Sequence, residues 1–377
     1  MKQDAIPGTP SSLRIVVLGL SITSSWGNGH ATTYRSLLRE LAARGHDVLF
    51  LERDVPWYAS NRDAADDIPV QVALYGGLEE LRDRFGDVVR QADAVIVGSF
   101  VPDGVEVGAW VQAQAGGLTA FYDIDTPVTL AKLARGEHDY LSPELVPGFD
   151  VYLSFTGGPT LQVLERRFRS PMARVLYCSV DPRRYFPETQ ADVWDLGYMG
   201  TYSDDRQPPL QRLLIESATR WGQGRFVVAG PQYPKQIDWP PNVERIEHLA
   251  PHGHRDFYNR QRFTLNITRA DMIGAGWSPS VRLFEAAACG VPIISDRWSG
   301  IEEIFEPGSE IVLADDAADV LSAVREMSED ERRAMGARAC RRVLAEHTSA
   351  HRAEQLESHL REALSRGSRV SSAADAG

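Results

Sequence analysis

Cysteine, long apolar runs and excess basic charge are all scarce in this sequence, and each shortage excludes a class of protein. The three cysteines, Cys178, Cys289 and Cys340, are odd in number and far apart, so we expect free thiols in a cytoplasmic protein rather than a disulfide framework. No stretch reaches the ~18 apolar residues of a membrane-spanning helix. With 40 Lys and Arg against 52 Asp and Glu, the net charge is −12, which argues against a nucleic-acid-binding protein.

The length and the apolar content indicate two globular domains. A chain of 377 residues with 43% hydrophobic residues can bury two cores of ordinary size. Short apolar runs alternate with amphipathic segments, which predicts doubly wound α/β domains. Pro182, Pro187 and the polar residues after them indicate the boundary. The predicted divisions are a disordered lead without a signal-peptide core (1–12), a first domain (13–187), a second domain (188–348), a C-terminal helix (349–365) that returns to the first domain, and a disordered tail (366–377).

The loop after the first predicted strand offers one candidate catalytic residue. Residues 14–20 are apolar and are followed by Gly27, Gly29 and His30. The dinucleotide fingerprint G-x-G-x-x-G is missing there, so a nicotinamide enzyme is not expected. A histidine at a strand end can bind an acceptor molecule or take its proton. The equally weighted alternative is a loop histidine that is hydrogen-bonded to the backbone.

The segment from Ser278 to Ser295 is the most informative part of the chain. Ser278 is expected to cap a helix whose first turn begins at Pro279. Arg282 lies near the helix N-terminus, where the helix dipole disfavours a positive charge unless an anion binds there. Glu285 follows within one turn and can accept hydrogen bonds from sugar hydroxyls. A surface pair between Arg282 and Glu285 is the alternative.

The stretch Arg282-Leu-Phe-Glu285-Ala-Ala-Ala-Cys-Gly290-Val-Pro-Ile-Ile-Ser295 resembles the nucleotide-sugar signature of GT-B glycosyltransferases. It is most similar to the spore-maturation-protein (CgeB-like) group and more distantly to the family-4 glycosyltransferases. The resemblance implies a GT-B fold, in which two Rossmann-like, doubly wound α/β domains face each other across a cleft. It also implies that the first domain binds an acceptor and the second a nucleotide-diphosphate sugar, with Glu285 at the donor ribose and the helix start at the diphosphate.

Other parts of the second half match these families as well. Residues 176–187 resemble the segment that enters the second domain. The glycine-led loop 200–206 ends in Arg206, where related enzymes have a basic residue that holds the diphosphate. The alternative is a surface ion pair of Arg206 with Asp204 or Asp205. The predicted donor-binding residues are Thr201, Arg206, Asp271, Ser280, Arg282 and Glu285.

Asp123 and Asp125 have the D-x-D spacing of the metal-binding pair in GT-A glycosyltransferases. That spacing is a weak signal, and Asp125 can instead cap the next helix. A direct role of Asp125 at the ligand cleft is the favoured interpretation. The predicted catalytic residues are therefore His30 and Asp125, with no metal and no cofactor.

Trp277 departs from the family-4 pattern, which has a glutamate at this position, eight residues before the ribose-binding one. The sequence therefore predicts neither retention nor inversion. The predicted function is metal-independent, hexosyltransferase-type transfer of a sugar from a nucleotide-diphosphate donor to an acceptor, so the expected partners are a nucleotide sugar and an unidentified acceptor. A nucleotide-sugar epimerase of the same fold and a non-catalytic nucleotide- or sugar-binding protein are the alternatives.

Overall fold

The structure, a computed structural model, describes residues 12–26, 28–63, 68 and 70–374, and of residues 367–374 only the backbone. Contacts divide the chain into two compact units, Met1–Cys178 with Ser349–Gly377, and Ser179–Thr348. Of the predicted disordered lead, residues 1–11 lie outside the described residues.

The first unit contains a parallel sheet flanked by helices. Its strands are β1 (Arg14–Gly19), β2 (Asp47–Arg53), β3 (Gln71–Tyr75), β4 (Ala94–Gly98), β5 (Leu118–Asp123), β6 (Val151–Ser154) and β7 (Ala173–Val175). They lie in the order β3-β2-β1-β4-β5-β6-β7. The helices between them are α1 (Gly29–Ala43), α2 (Pro56–Ala59), α3 (Leu78–Gln91), α4 (Gly104–Gln114), α5 (Thr126–Ala134) and α6 (Pro159–Arg166).

The apolar run of β1 explains why this strand is central. Ile15 and Val17 are buried in the core on one face of the sheet, and Val16 and Leu18 are buried in the core on the other face. A strand covered by helices on both faces needs a continuous apolar sequence rather than an alternating one. The buried parallel strand predicted at residues 14–20 is confirmed.

The second unit repeats this architecture. Its strands are β8 (Trp194–Met199), β9 (Phe226–Ala229), β10 (Val243–Ile246), β11 (Gln261–Asn266), β12 (Ile293–Ser295) and β13 (Ile311–Leu313). All are parallel, in the order β10-β9-β8-β11-β12-β13. Its helices are α7 (Gln207–Leu210), α8 (Glu216–Arg220), α9 (His254–Asn259), α10 (Ala270–Ala275), α11 (Val281–Ala288), α12 (Ile301–Ile304), α13 (Ala317–Glu326) and α14 (Glu329–Glu346), and a π-helical turn, Gln211–Ile215, joins α7 to α8.

In both sheets the strand order reverses beside the first strand of the unit, between β1 and β4 and between β8 and β11. Doubly wound sheets bind ligands at the carboxyl ends of the strands around such a reversal, because neighbouring loops diverge there and leave a crevice. The loops that follow β1 and β4 in the first unit, and β8 and β11 in the second, flank these reversals.

The last helix, α15 (Ser349–Ala374), packs against α1. Leu356 of α15 is buried in the same core as the inward face of α1. The helix continues through residues 366–374, for which the sequence predicted disorder. Arg366 donates to Glu362 one turn earlier (2.6 Å), and such an i, i+4 pair favours continuation of a helix.

Two further findings bear on the class of protein. Within the described ranges, no helix combines the length and the apolar content needed to cross a bilayer. Cys178, Cys289 and Cys340 are buried and form no disulfide bond.

Candidate active site

The loop that follows β8 holds Arg206 over its own backbone. At the start of this loop Gly230 approaches Gly200 so closely that an added Cβ would meet the Gly200 carbonyl oxygen at 2.1 Å. The guanidinium of Arg206 donates from Nε to Ser203 Oγ (2.8 Å) and from Nη2 to the carbonyl oxygen of Thr201 (2.6 Å). Thr201, another predicted donor-binding residue, is exposed. These bonds fix Arg206 at the carboxyl edge of the sheet.

The alternative prediction for Arg206, an ion pair with a neighbouring aspartate, is wrong. Asp204 accepts a hydrogen bond from the hydroxyl of Tyr202 (2.7 Å). Asp205 accepts one from the backbone N–H of Ala270 (3.0 Å). Both carboxylates are thus hydrogen-bonded to other donors and form no salt bridge with Arg206, although the charge of Asp205 still acts on it.

The start of α11 differs from the prediction, because the helix is preceded by Ser280 and not by Ser278. The hydroxyl of Ser278 donates to the Gly276 carbonyl oxygen (2.9 Å). The hydroxyl of Ser280 donates to Asn266 Oδ1 (2.8 Å) and makes no capping bond. The Ser280 hydroxyl therefore occupies no N–H group of the first turn, of which that of Leu283 donates to the Ser280 carbonyl oxygen (3.1 Å), and an anion can bind at this helix start.

Arg282 lies in this first turn and forms no hydrogen bond or salt bridge with a described carboxylate, although its charge acts on the buried carboxyl groups of Glu285 and Asp296. Its guanidinium carbon is 5.7 Å from the centroid of the Tyr198 ring, and its Nε is buried without a hydrogen-bond acceptor. The alternative surface pair with Glu285 is not formed. Burial lowers the pKa of Arg206, and the charge of Arg282 lowers it further. Two guanidinium groups therefore lie close enough to repel each other.

Glu285 is a buried carboxylate that two tyrosines already contact. It is 4% exposed, and its Oε2 accepts a hydrogen bond from the Tyr258 hydroxyl (3.2 Å). Burial raises the pKa of Glu285, against hydrogen bonds from Tyr185 and Tyr258 and the positive charge of Arg282. An ionised carboxylate has about four acceptor positions. The two tyrosines therefore leave acceptor capacity for hydroxyls of a ligand.

Asp271 and Trp277, which both precede α11, form no hydrogen bond or ion pair with Arg206 or Arg282. Asp271, predicted to bind the donor, is exposed in α10 and has no hydrogen bond or ion pair with a described residue. Trp277 has a φ of 44°, which bulky residues rarely adopt. Its N–H donates to the Ser299 carbonyl oxygen (2.6 Å), and its indole Nε1 donates to Glu303 Oε1 (2.8 Å). The residue at the family-4 glutamate position is thus held at both its backbone and its ring.

The sequence prediction missed Asp296, which directly follows β12. Asp296 accepts hydrogen bonds from the N–H and the hydroxyl of Thr268, each at 2.8 Å. Burial raises the pKa of Asp296, while the bonds from Thr268 and the charge of Arg282 act in the opposite direction. The available signal was its position immediately after a buried strand, where doubly wound sheets bind ligands.

In the first unit, the two predicted catalytic residues are in contact. Nε2 of His30, in the first turn of α1, is 2.9 Å from Oδ2 of Asp125, which precedes α5. His30 is 9% exposed and its Nδ1 is buried without a partner. The side chain of Asp125 makes no capping bond. The alternatives, a histidine ring bonded to the backbone and a helix-capping aspartate, are therefore both wrong.

An aromatic pair covers one side of this histidine. The ring of Phe100 meets His30 edge-on, with centroids 5.6 Å apart, and lies 4.5 Å from the ring of Tyr140. Nζ of Lys132 is 5.3 Å from the Phe100 centroid. Phe100 has a φ of 62°, a conformation that costs about 1–2 kcal/mol and persists only where surrounding contacts impose it. No sequence signal indicated this pair.

A buried glutamate holds the loop that leads from β1 to His30. Glu52, at the end of β2, accepts hydrogen bonds from the hydroxyl of Ser21 (3.0 Å) and the N–H of Ile22 (2.7 Å). It also accepts from the N–H (3.0 Å) and the hydroxyl (2.6 Å) of Thr23. Both carboxylate oxygens are thus used to shape the loop, which positions the start of α1.

The D-x-D pair does not have the geometry of a metal site. Asp123 is fully buried and accepts three hydrogen bonds, from the hydroxyls of Tyr152 (2.5 Å) and Thr129 (2.8 Å) and from the N–H of Asp125 (3.2 Å). Its carboxylate is therefore directed into the protein. Across residues 12–374, apart from the few undescribed positions, no cluster of three or more His, Cys, Asp or Glu side chains is arranged to hold a metal ion.

The second half of the chain matches a known protein family. Residues 206–358 match the family model described as Glycosyl transferase-like, and this segment contains Arg206, Arg282 and Glu285. No curated protein matches the chain.

Solved structures are similar over nearly the whole chain. HepE from Anabaena, in complex with UDP and glucose, has a TM-score of 0.69 and 12% identity, covering 92% of this chain and 99% of HepE. For sucrose-phosphate synthase from Thermosynechococcus elongatus the TM-score is 0.66 and the identity 14%, covering 93% and 98%. A glycosyltransferase from Rickettsia africae has a TM-score of 0.65 and 9% identity, covering 94% and 99%. The likeness concerns the fold, and the predicted GT-B fold is confirmed: two parallel-sheet α/β units of the kind found in GT-B glycosyltransferases.

Proposed function

We propose that this chain is a glycosyltransferase that moves a sugar from a nucleoside-diphosphate donor to a hydroxyl or amine of an acceptor. The observation that carries the proposal is the pair Arg206 and Arg282, two close guanidinium groups that form no salt bridge with a described carboxylate. A diphosphate satisfies both groups through charge-assisted hydrogen bonds. UDP or UDP-glucose bound to structural neighbours makes a uridine diphosphate sugar the first donor to test.

In the second unit, three of the predicted residues have a role in donor binding under this proposal. Arg206, Arg282 and the open first turn of α11 bind the diphosphate, and Glu285 accepts hydrogen bonds from the ribose hydroxyls. When the bond between sugar and diphosphate breaks, its electron pair leaves with the diphosphate. Guanidinium groups already in place stabilise that developing charge without reorganisation.

In the first unit, His30 and Asp125 activate the acceptor. The Nε2–Oδ2 bond of 2.9 Å lets Asp125 orient the imidazole and stabilise its protonated form. Because Nε2–H donates to Asp125, Nδ1, which has no partner among the described residues, is the nitrogen that takes the proton of the acceptor hydroxyl as the acceptor oxygen forms the new bond to the sugar. Asp271 is left without a role, since it contacts none of the other predicted residues.

Finer aspects of the function are part of the same proposal. Two arginines supply the positive charge that a divalent cation would otherwise bring to the diphosphate, so we propose that transfer needs no metal. The motif from Arg282 to Ser295 supports assignment to the CgeB-like group. A hexose donor is favoured because the structural neighbours include complexes with UDP-glucose.

Calorimetry with UDP tests the donor site directly. We expect Arg282→Ala to weaken UDP binding about 10- to 100-fold, because a charge-assisted hydrogen bond contributes roughly 1.5–3 kcal/mol. Arg220→Ala is the control, since Arg220 is a surface residue of α8 that pairs with Glu216 at 3.5 Å. Unchanged affinity in the Arg282 variant contradicts the proposal. Binding that survives a metal chelator supports metal independence.

Trp277 gives one alternative a specific basis, because an indole cannot replace a carboxylate in catalysis. A non-catalytic binding protein with these arginines would bind UDP-glucose without consuming it. Release of UDP and glucose, or transfer to an added acceptor, identifies a transferase. Conversion of the donor to an epimer with no UDP release identifies an epimerase. Tight binding with no turnover supports the binding protein.

A further inference from the structure

Asp123 is a buried carboxylate beside the proposed catalytic pair that accepts three hydrogen bonds. It ends β5, is 0% exposed, and lies two residues before Asp125. Its three hydrogen-bond donors come from three different elements: Tyr152 from β6, Thr129 from α5, and the N–H of Asp125 from the loop itself. An ionised carboxylate is purely an acceptor. All three bonds are therefore charge-assisted while Asp123 is ionised.

A second chain of contacts connects Asp123 to His30. Thr129 has a single hydroxyl hydrogen and gives it to Asp123, so Tyr140 must donate in its 2.7 Å bond with Thr129. The ring of Tyr140 packs on Phe100, and Phe100 meets His30 edge-on. Asp123 thus contacts the backbone of Asp125 directly and supports, through side chains, the ring against which His30 rests.

Resting on the proposed function, we propose that Asp123 is a positioning residue: its carboxylate holds the Asp125 loop and the aromatic support of His30 in the arrangement needed for proton removal. Asp123 itself is buried and touches no substrate. If it gains a proton, the carboxyl loses its charge and one acceptor position, and its hydrogen bonds to the three donors weaken. Asp123 then no longer holds the loop and the aromatic rings that support the His30–Asp125 pair.

The charges around Asp123 give this arrangement a pH dependence. Burial raises the pKa of Asp123 to about 6, against the hydrogen bonds from Tyr152 and Thr129, and the charge of Asp125 raises it further. Tyr34 of α1 and Tyr140 also face it, and both stay neutral because burial raises the pKa of each hydroxyl. Activity is therefore expected to fall below about pH 6, as Asp123 becomes neutral.

The test compares Asp123→Asn with Asp150→Asn in the full-length protein. Asp150 also accepts hydrogen bonds from a backbone N–H and a hydroxyl, both of Thr119 (2.8 and 3.0 Å). It lies before β6, however, at the edge of the sheet opposite to Asp123. With UDP-glucose and water as acceptor, we expect Asp123→Asn to lower kcat for UDP release about 10- to 100-fold, because misplacement of a catalytic group by ~1 Å can cost that much. KM is expected to stay unchanged, and the decline near pH 6 to disappear. Asp150→Asn is expected to behave as the parent.

A readout independent of turnover separates this inference from the proposed function. The ring nitrogen signals of His30, assigned by their loss in His30→Ala, are expected to shift in Asp123→Asn and not in Asp150→Asn. Thr129→Val, which removes one donor and keeps the carboxylate, is expected to give a smaller shift in the same direction and serves if Asp123→Asn does not fold. Unshifted His30 signals in the folded variant overturn the inference. Loss of UDP release in His30→Ala but not in Asp123→Asn overturns it as well, while leaving the proposed function intact; full activity of His30→Ala contradicts the proposed function.

Discussion

Single side chains in this protein show how burial changes the chemistry of a charged group. Glu285 and Asp296 are both buried beside Arg282, and burial raises the pKa of each carboxyl. Arg206 responds in the opposite direction, because burial lowers the pKa of a cation. A ligand that brings negative charge to Arg206 and Arg282 therefore relieves an electrostatic cost already present in the folded chain.

The stability of the chain is expected to reflect the titration of Asp123. Its pKa is raised from 3.8 to about 6, so the ionised form is disfavoured by folding. Neutral Asp123 therefore stabilises the folded chain fully at pH values below the pKa that Asp123 has in the unfolded chain. This stabilisation is lost as the pH rises through about 6. Asparagine does not titrate. Relative to the parent, Asp123→Asn is therefore expected to gain about 1 kcal/mol between pH 5 and pH 7.5, as measured by urea unfolding at each pH.

Asp150→Asn serves again as the control for this pH series, and its stability difference from the parent is expected to be constant across the range. A constant difference for Asp123→Asn as well would mean that Asp123 does not titrate with a raised pKa.

At the scale of elements, the proposed catalytic pair depends on two loops, each of which is held by a buried carboxylate. Glu52 holds the loop after β1, and Asp123 holds the loop after β5. Both acids lie at the end of a parallel strand, where the backbone N–H groups of the adjacent loops have left the sheet ladder. A carboxylate there satisfies several donors at once, which a backbone carbonyl cannot do.

Replacement of Glu52 by glutamine is expected to destabilise this loop strongly. In this variant an amide nitrogen takes the place of one carboxylate oxygen of Glu52. One of those oxygens accepts the backbone N–H groups of Ile22 and Thr23, and the other accepts two hydroxyls. Each buried donor left unpaired costs roughly 1–3 kcal/mol, so we expect a loss of about 2–4 kcal/mol in urea unfolding. Glu79→Gln, at an exposed residue of α3, is the matched control. Equal stability of the two variants would contradict the role of Glu52.

At the scale of the whole molecule, each of the two units has its own core, and their sheets have strand orders of the same kind. We therefore expect the two units to respond to different perturbations. Leu360 of α15 is buried in the core of the first unit, whereas the proposed donor residues all belong to the second unit. Each unit of this size can hold its own core, and multi-domain chains often unfold in more than one step.

Scanning calorimetry of Leu360→Ala with and without UDP tests this independence. The substitution is expected to lower the Tm of one transition, because truncation of a buried leucine costs about 2–5 kcal/mol. UDP is expected to raise the Tm of the other transition, by binding only the folded second unit. Leu265→Ala, at a buried residue of β11, is the counterpart that should lower the transition that UDP raises. One transition moved by all three changes would show that the units unfold together.

Several features could be predicted from the sequence because the physical information for them is local. The central strand β1 follows from an apolar run, and the position of α11 from apolar residues at helical spacing. Arg282 was identified because a positive charge at a helix start is unfavourable without an anion. The cap of α11 was misplaced to Ser278 because a serine hydroxyl can bond to other groups nearby, here the Gly276 carbonyl oxygen.

The sequence by itself determined the alternation of strands and helices, the family resemblance and the residues at strand ends, since each depends on spacing within a few positions of the chain. Only the tertiary structure decided that His30 meets Asp125 across a separation of 95 residues, that Glu285 is buried against tyrosines, and that Asp123 is closed to a metal. These features depend on the strand order, which brings together loops from distant parts of the chain, and on burial, which changes the ionisation of a carboxyl group that the sequence shows only as an acid.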